Sequence, residues 1–197
     1  QEMIESNNGY KEMTTKFQFD VDSAQVSLTV VSGEAICQLY NTEMVRKSLF
    51  KALDRGIEMR FMAGPLVCIE DETNTLLDLI GKKNVEIYRR RGRALIHYRV
   101  MDHKRVYIEK PHAAVSDLTR RKPITVDDDK QEFWAKNLEQ EFDYQIRNKI
   151  AERVYSKDDF LLLPKREIEG GMKKAEDMGK SFDFLTKQEI KDIAALI

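Results

Sequence analysis

A chain of 197 residues, 42% of them hydrophobic, is long enough for one substantial core with a small appendage, and one main domain is expected. Its 33 basic and 34 acidic side chains nearly cancel, which excludes a global field that would recruit nucleic acid or an anionic membrane, so any basic site has to be local. No apolar run approaches the roughly 20 residues that span a bilayer, the start has no signal-peptide pattern, and Cys37 and Cys68 lack metal-ligand spacing; reduced thiols in a cytoplasmic protein with no membrane partner are expected.

From Gln25 onward, strands and helices alternate. Val26 to Val31 has the β-branched content of a strand and is bounded by Ser32-Gly33. Thr42 is placed as the N-cap of a helix whose apolar stripe is Val45, Leu49, Ala52 and Leu53, with Gly56 as its stop. Ile57 to Phe61 alternates apolar and charged residues, so strand, helix and strand follow as in a right-handed crossover, and the sheet is expected to be partly parallel. A shorter helix, Thr75 to Ile80, stopped by Gly81, feeds the strand Val85 to Tyr88. Two further strands, Ala94 to Met101 and Arg105 to Glu109, run up and back around Asp102-His103-Lys104, which makes the sheet mixed.

Between Pro111 and Asp129 periodicity is lost, and a long surface loop is expected there. It carries Pro123, the basic triplet Arg120-Arg121-Lys122 and the acidic triplet Asp127-Asp128-Asp129, whose charge suits the positive end of the next helix. That helix is expected from Lys130 to about Tyr155, with Trp134, Leu138, Phe142, Ile146, Ile150 and Val154 on its sheet-facing stripe and with Phe133 and Trp134 in the core. Residues 156–197 read as a helical appendage, ending in a Thr186 and Glu189 capping box ahead of Ile190, Ile193, Leu196 and Ile197. The expected class is α/β, a mixed sheet flanked by helices with a helical C-terminal appendage.

The chemistry-bearing residues concentrate on the hairpin, since all three histidines lie between Leu95 and His112. Leu95, His97 and Arg99 share one strand face because side chains alternate, and His112 ends the returning strand. His97, His112, Asp102 and Glu109 are the candidate catalytic residues: together they offer an acid-base set, or imidazole and carboxylate ligands for a metal, although no particular metal or cofactor is called for. His103, at the reversal, reads as solvated. Just before the motif strand, Tyr88-Arg89-Arg90-Arg91-Gly92-Arg93 supplies four guanidiniums, which suit forked contacts to phosphate as well as a solvated turn. With Arg99 and Lys110 they form the candidate ligand-binding set.

The order of elements, with a helix ending in Ala52-Leu53-Asp54-Arg55-Gly56 and a single motif hairpin, resembles a phospholipase D-like domain over residues 20–155. That superfamily's signature is a His, any residue, a Lys, four residues and an Asp, followed after six more by Gly-Ser-any-Asn. Registered on Asp102, Leu95 falls on the nucleophilic His, His97 on the Lys, Glu109 on the Gly, Lys110 on the Ser and His112 on the Asn. A second register makes His97 the nucleophile and Arg99 the Lys, but sets Lys104 on the Asp. In that chemistry an imidazole attacks phosphorus while Lys and Asn hold the phosphate oxygens, and leucine does none of this.

The resemblance implies a site built from two motif copies, hence a homodimer for a chain that carries one. It implies a non-catalytic phospholipase D-like binding or regulatory module that recognises a phosphate-bearing ligand or nucleic acid. The alternative is a diverged phosphodiesterase or nuclease with a remodelled His-based site. By analogy with regulators that use such folds as effector domains, a chain beginning at Gln1 leaves room for a DNA-binding domain upstream.

Overall fold

The computed structural model describes residues 2–32, 38–64, 66–68, 74–92, 94, 96–109 and 123–164, together with residues 166, 167, 170, 173, 174 and 177. Cys37, Arg93, Leu95, Lys110, His112, the basic triplet Arg120-Arg121-Lys122 and the Thr186 and Glu189 capping box lie outside the described residues.

The architecture is α/β, a seven-stranded mixed sheet between helices. At its centre lies β1 (Ser27–Val31), buried along its whole length. Parallel to it runs β2 (Glu58–Ala63), followed by β4 (Val85–Arg90), also parallel, with β8 (Ala151–Arg153) antiparallel at that edge. On the other side β5 (Tyr98–Met101), β6 (Arg105–Glu109) and β7 (Pro123–Ile124) continue the sheet antiparallel. A separate parallel pair joins β3 (Leu66–Cys68) to β9 (Leu161–Leu163).

Strand alternation divides the core into two layers. Leu28 and Val30 of β1, Met59 and Phe61 of β2, and Val85 and Ile87 of β4 pack against α1 (Glu2–Ser23), α2 (Gln38–Asn41), α3 (Glu43–Asp54) and α4 (Thr75–Asp78). On the opposite face Val31, Met62, Tyr88 and Val100 pack against Ala135, Leu138 and Phe142 of α5 (Gln131–Arg147). Phe142 meets the Tyr88 ring edge-on and lies under the Arg60 guanidinium, 4.5 Å from the ring centre.

The crossover from β1 through α3 to β2 follows the sequence signals closely. Gly56, at φ 80°, adopts the left-handed conformation that ends the helix; its N–H donates to Leu53 O at 2.9 Å and that of Ile57 to Ala52 O at 3.1 Å, a Schellman closure. Arg55 then donates to Val21 O and Ala24 O, both at 3.1 Å, which pins the start of β2 to the end of α1.

The structure corrects four expectations. Helix α5 stops at Arg147, because Lys149 takes φ 57° and Ile150 N–H closes on Gln145 O at 2.9 Å; Ala151 to Arg153 then form an edge strand rather than more helix. Phe133 and Trp134 are 65% and 40% exposed, not core residues. The buried positions are Ala135, Leu138, Phe142 and Gln145, spaced by three and four, whereas a strict spacing of four drifts about 40° around the helix at every step. The expected loop ends in a strand, since Pro123 and Ile124 pair with Glu109 and Ile108. The segment after Ser156 begins with a 3-10 turn, Lys157–Asp159, and strand β9 before its helical residues. No helix among the described residues is long and apolar enough to cross a membrane.

Candidate functional site

The motif segment forms the β5–β6 hairpin, with Arg99 opposite Tyr107 and Met101 opposite Arg105. Tyr98, Val100 and Ile108 enter the α5-side core, where the Tyr98 hydroxyl donates to Leu138 O at 3.0 Å. Burial pushes that phenol well above its ordinary range. Arg99, Arg105 and Tyr107 take the other face, which α1 covers.

On this face Arg99 is held closely. Its Nε and one terminal nitrogen donate to Asp20 Oδ2 at 3.1 and 2.8 Å, and its guanidinium lies 3.8 Å from the centre of the Tyr107 ring and 4.6 Å from that of Phe17. Lys16 donates to the other Asp20 oxygen at 2.6 Å. Arg105 reaches Ser23 Oγ at 3.1 Å. The α1 residues in this arrangement lie before Gln25, where no element is assigned from the sequence, because an Asp and a Ser on a helix of mixed polarity carry no signal of burial.

His97 and Glu109 come together at the open end of the hairpin. Glu109 N–H donates to His97 O at 2.9 Å, and His97 Nδ1 stands 3.4 Å from Glu109 Oε2, where a carboxylate can only accept. Both are buried, with 6% and 5% exposure.

Asp102 sits at the opposite end, five residues along the strand from His97, about 17 Å at extended spacing. Asp102 and His103 adopt φ of 57° and 59°, and Lys104 N–H donates to Met101 O at 3.0 Å, which defines a type I′ turn. Asp102 Oδ1 accepts the N–H groups of Gln25, Val26 and Ser27 at 2.9, 2.7 and 3.2 Å. Burial opposes ionisation of this carboxyl, but the three amides and the nearby Arg105 outweigh it and hold it below its ordinary value. Asp102 thus fastens the hairpin tip to the start of β1 and does not join His97 and Glu109 in one acid-base set.

His103, expected to be solvated, is half-exposed but doubly bonded. Its Nδ1 lies 2.8 Å from Glu139 Oε1 of α5 and its Nε2 lies 3.2 Å from Ser27 Oγ. Both partners are remote in sequence.

The arginine cluster emerges at the end of β4. Arg89 donates to Asp159 O at 2.6 Å and to Glu152 at 3.3 Å, Arg90 donates to Gly92 O at 3.4 Å, and Arg91 reaches the other Glu152 oxygen at 3.4 Å. The Arg91 side chain remains 73% exposed. On the same strand, burial and the bond to Glu86 raise the Tyr88 hydroxyl to about 12. Among the described residues no group of three or more His, Cys, Asp or Glu side chains is arranged to hold a metal ion.

No protein-family model and no curated protein matches the sequence. Solved structures align with it. TrmBL2, an archaeal chromatin protein whose structure is described as showing a novel mode of DNA binding, aligns with a TM-score of 0.52 at 14% identity over 74% of this chain and 52% of its own, so this chain spans about half of it. Nuc from Salmonella typhimurium, a phospholipase D family member, aligns with a TM-score of 0.45 at 11% identity over 72% of this chain and 90% of its own. For NucT from Helicobacter pylori the values are 0.48, 13%, 67% and 87%. The likeness to TrmBL2, at 14% identity, is one of fold.

Proposed function

We propose that the chain is a phospholipase D-like binding or regulatory module, without phosphodiesterase chemistry at its hairpin, which recognises a phosphate-bearing ligand or nucleic acid as a homodimer. The observation that carries this is the internal use of the hairpin's polar groups: Arg99 with Asp20, His97 with Glu109, and Asp102 with three backbone amides. An imidazole that attacks phosphorus has to meet its substrate, and His97 is enclosed against Glu109. Arg91, the most exposed of the described arginines in the cluster, is the group best able to exchange Glu152 for a phosphate oxygen. The fold likeness to a DNA-binding chromatin protein favours nucleic acid as the ligand.

The test pairs turnover with binding. The purified chain, given bis-p-nitrophenyl phosphate or duplex DNA with and without magnesium or manganese, is expected to release no product. It is expected to bind labelled duplex DNA with an affinity that falls as salt rises and on Arg91→Ala, and to sediment as a dimer. Turnover that disappears in His97→Ala would replace this reading with the diverged phosphodiesterase. A monomer that leaves the anisotropy of labelled DNA unchanged at low salt overturns the binding module.

A further inference from the structure

A cleft of about 340 Å³ opens on the α5 side of the sheet, lined by Ser27, Thr29, Glu58, Arg60, His103, Glu139 and Asp143; Ser27, 4% exposed, is as buried as His97 but, unlike it, lines this cleft. Within it three side chains form a directed relay. The Glu139 carboxylate can only accept, so His103 Nδ1 donates to it; when the imidazole is neutral, Nε2 carries the lone pair that faces Ser27 Oγ at 3.2 Å and can accept its hydroxyl proton. The order hydroxyl, imidazole, carboxylate is the nucleophile, base and orienting group of serine hydrolases, which are recognised by geometry and role rather than by sequence position.

The backbone holds the relay in place. Asp102, next to His103, accepts the N–H of Ser27 at 3.2 Å and donates its own N–H to Ser27 O at 2.9 Å, so base and nucleophile are tied together through their main chains. His103 keeps a positive φ that few residues with a side chain adopt. Arg60, on the strand beside Ser27 and on the same face, is steadied by Asp143 at 2.7 Å and by the Phe142 ring, and it supplies positive charge to the cleft.

We infer that this cleft is an acyl-transfer site for small carboxylic esters, with Ser27 as nucleophile, His103 as general base and acid, Glu139 as a positioning residue and Arg60 stabilising the oxyanion. It is separate from the His97 and Glu109 pair and independent of the proposed phosphate recognition. Ser27 Oγ attacks the ester carbonyl carbon while its proton passes to His103 Nε2; the tetrahedral oxyanion gathers beside Arg60. The bond from carbon to the leaving alkoxide breaks, and His103 returns the proton to that oxygen. Water, deprotonated by His103, then releases the acid and restores Ser27. The cleft volume, near the lower limit for ligand pockets, sets a small substrate, and the exposed Glu58 carboxylate at the cleft favours a cationic substituent.

The test uses the full chain with p-nitrophenyl acetate, acetylcholine and a biotinylated fluorophosphonate, with circular dichroism to establish that each variant is folded. Expected are catalytic turnover, probe attachment mapped to Ser27 by mass spectrometry, and a loss of at least about tenfold in kcat/KM for both Ser27→Ala and His103→Gln. Glu139→Gln is expected to lower kcat and displace the pH profile, with Glu139→Asp intermediate, which a purely structural role would not produce. Lys104→Ala, at the same tip, keeps the rate. Folded wild-type protein that hydrolyses neither ester faster than folded Ser27→Ala overturns the inference. So does activity that survives Ser27→Ala and falls in His103→Gln, which would make the imidazole itself the nucleophile.

Discussion

The ion pair between Asp20 and Arg99 is the interaction whose loss the fold should feel most. The side chains are 0% and 5% exposed, and the guanidinium is enclosed by the Phe17 and Tyr107 rings. Asp20→Ala removes both bonds and strands a cation that cannot lose its proton, which costs about 3–5 kcal/mol for a buried pair broken on one side. Lys16 loses its partner as well but is 46% exposed, so water replaces most of that contact. Against a total stability of about 5–15 kcal/mol the loss is large, and at about 2–4 °C per kcal/mol it lowers the melting temperature by roughly 6–20 °C. Urea titration followed by far-UV circular dichroism measures it as a drop in midpoint with an unchanged slope. The double variant Asp20→Leu with Arg99→Met, which removes both charges, is expected to recover most of the loss. A single variant within about 1 kcal/mol of wild type would refute the argument, because the pair would then not be the anchor of α1 on the sheet.

Two other outcomes follow from the turns. Asp102 has its folded-state carboxyl lowered, so its contribution is complete above the unfolded value of about 3.9 and is lost as pH falls through the folded value; the stability gap between wild type and Asp102→Ala should be constant near neutrality and close below about pH 4 in acid titrations. At Gly56, φ is 80° and an added Cβ would meet nothing within 4 Å, so Gly56→Ala should cost about 1–2 kcal/mol from backbone conformation alone, and Gly56→Asn should cost less by thermal melting.

The sequence disclosed what was local and apolar. The crossover through α3 was legible because Val45, Leu49, Ala52 and Gly56 mark both its buried stripe and its end. The hairpin was legible because Asp102 and His103 separate two alternating runs. By contrast α1 escaped, since its buried face includes Thr14 and Asp20 beside Phe17 and Val21, and polar groups buried against a distant arginine are indistinguishable from solvated ones in one dimension. The end of α5 was overrun because Ile150 and Val154 continue an apolar spacing of four; the stop lies instead in Arg147-Asn148-Lys149, a basic last turn followed by an asparagine. His97 and Glu109 were named as members of one set, yet their burial, at 6% and 5% exposure, carries no mark in the sequence. The partners of His103, Ser27 and Glu139, lie 76 and 36 residues from it, and nothing local announces either contact.

The position of β1 has a consequence for synthesis. Of the sheet's described strands, the earliest in chain order is the middle one, flanked by β2 and β5. Leu28 can meet Met59 early, but its other side remains unpaired until Met101 has been made, about 70 residues later. At about 5–20 residues per second that interval is roughly 4–14 s, during which a nascent chain presents the apolar edge of Leu28, Val30 and Val31 to water or to a chaperone. The hairpin tip that docks on Gln25, Val26 and Ser27 ends this exposure, so substitutions at Asp102 should reduce the yield of soluble protein in cells by more than their effect on the finished fold.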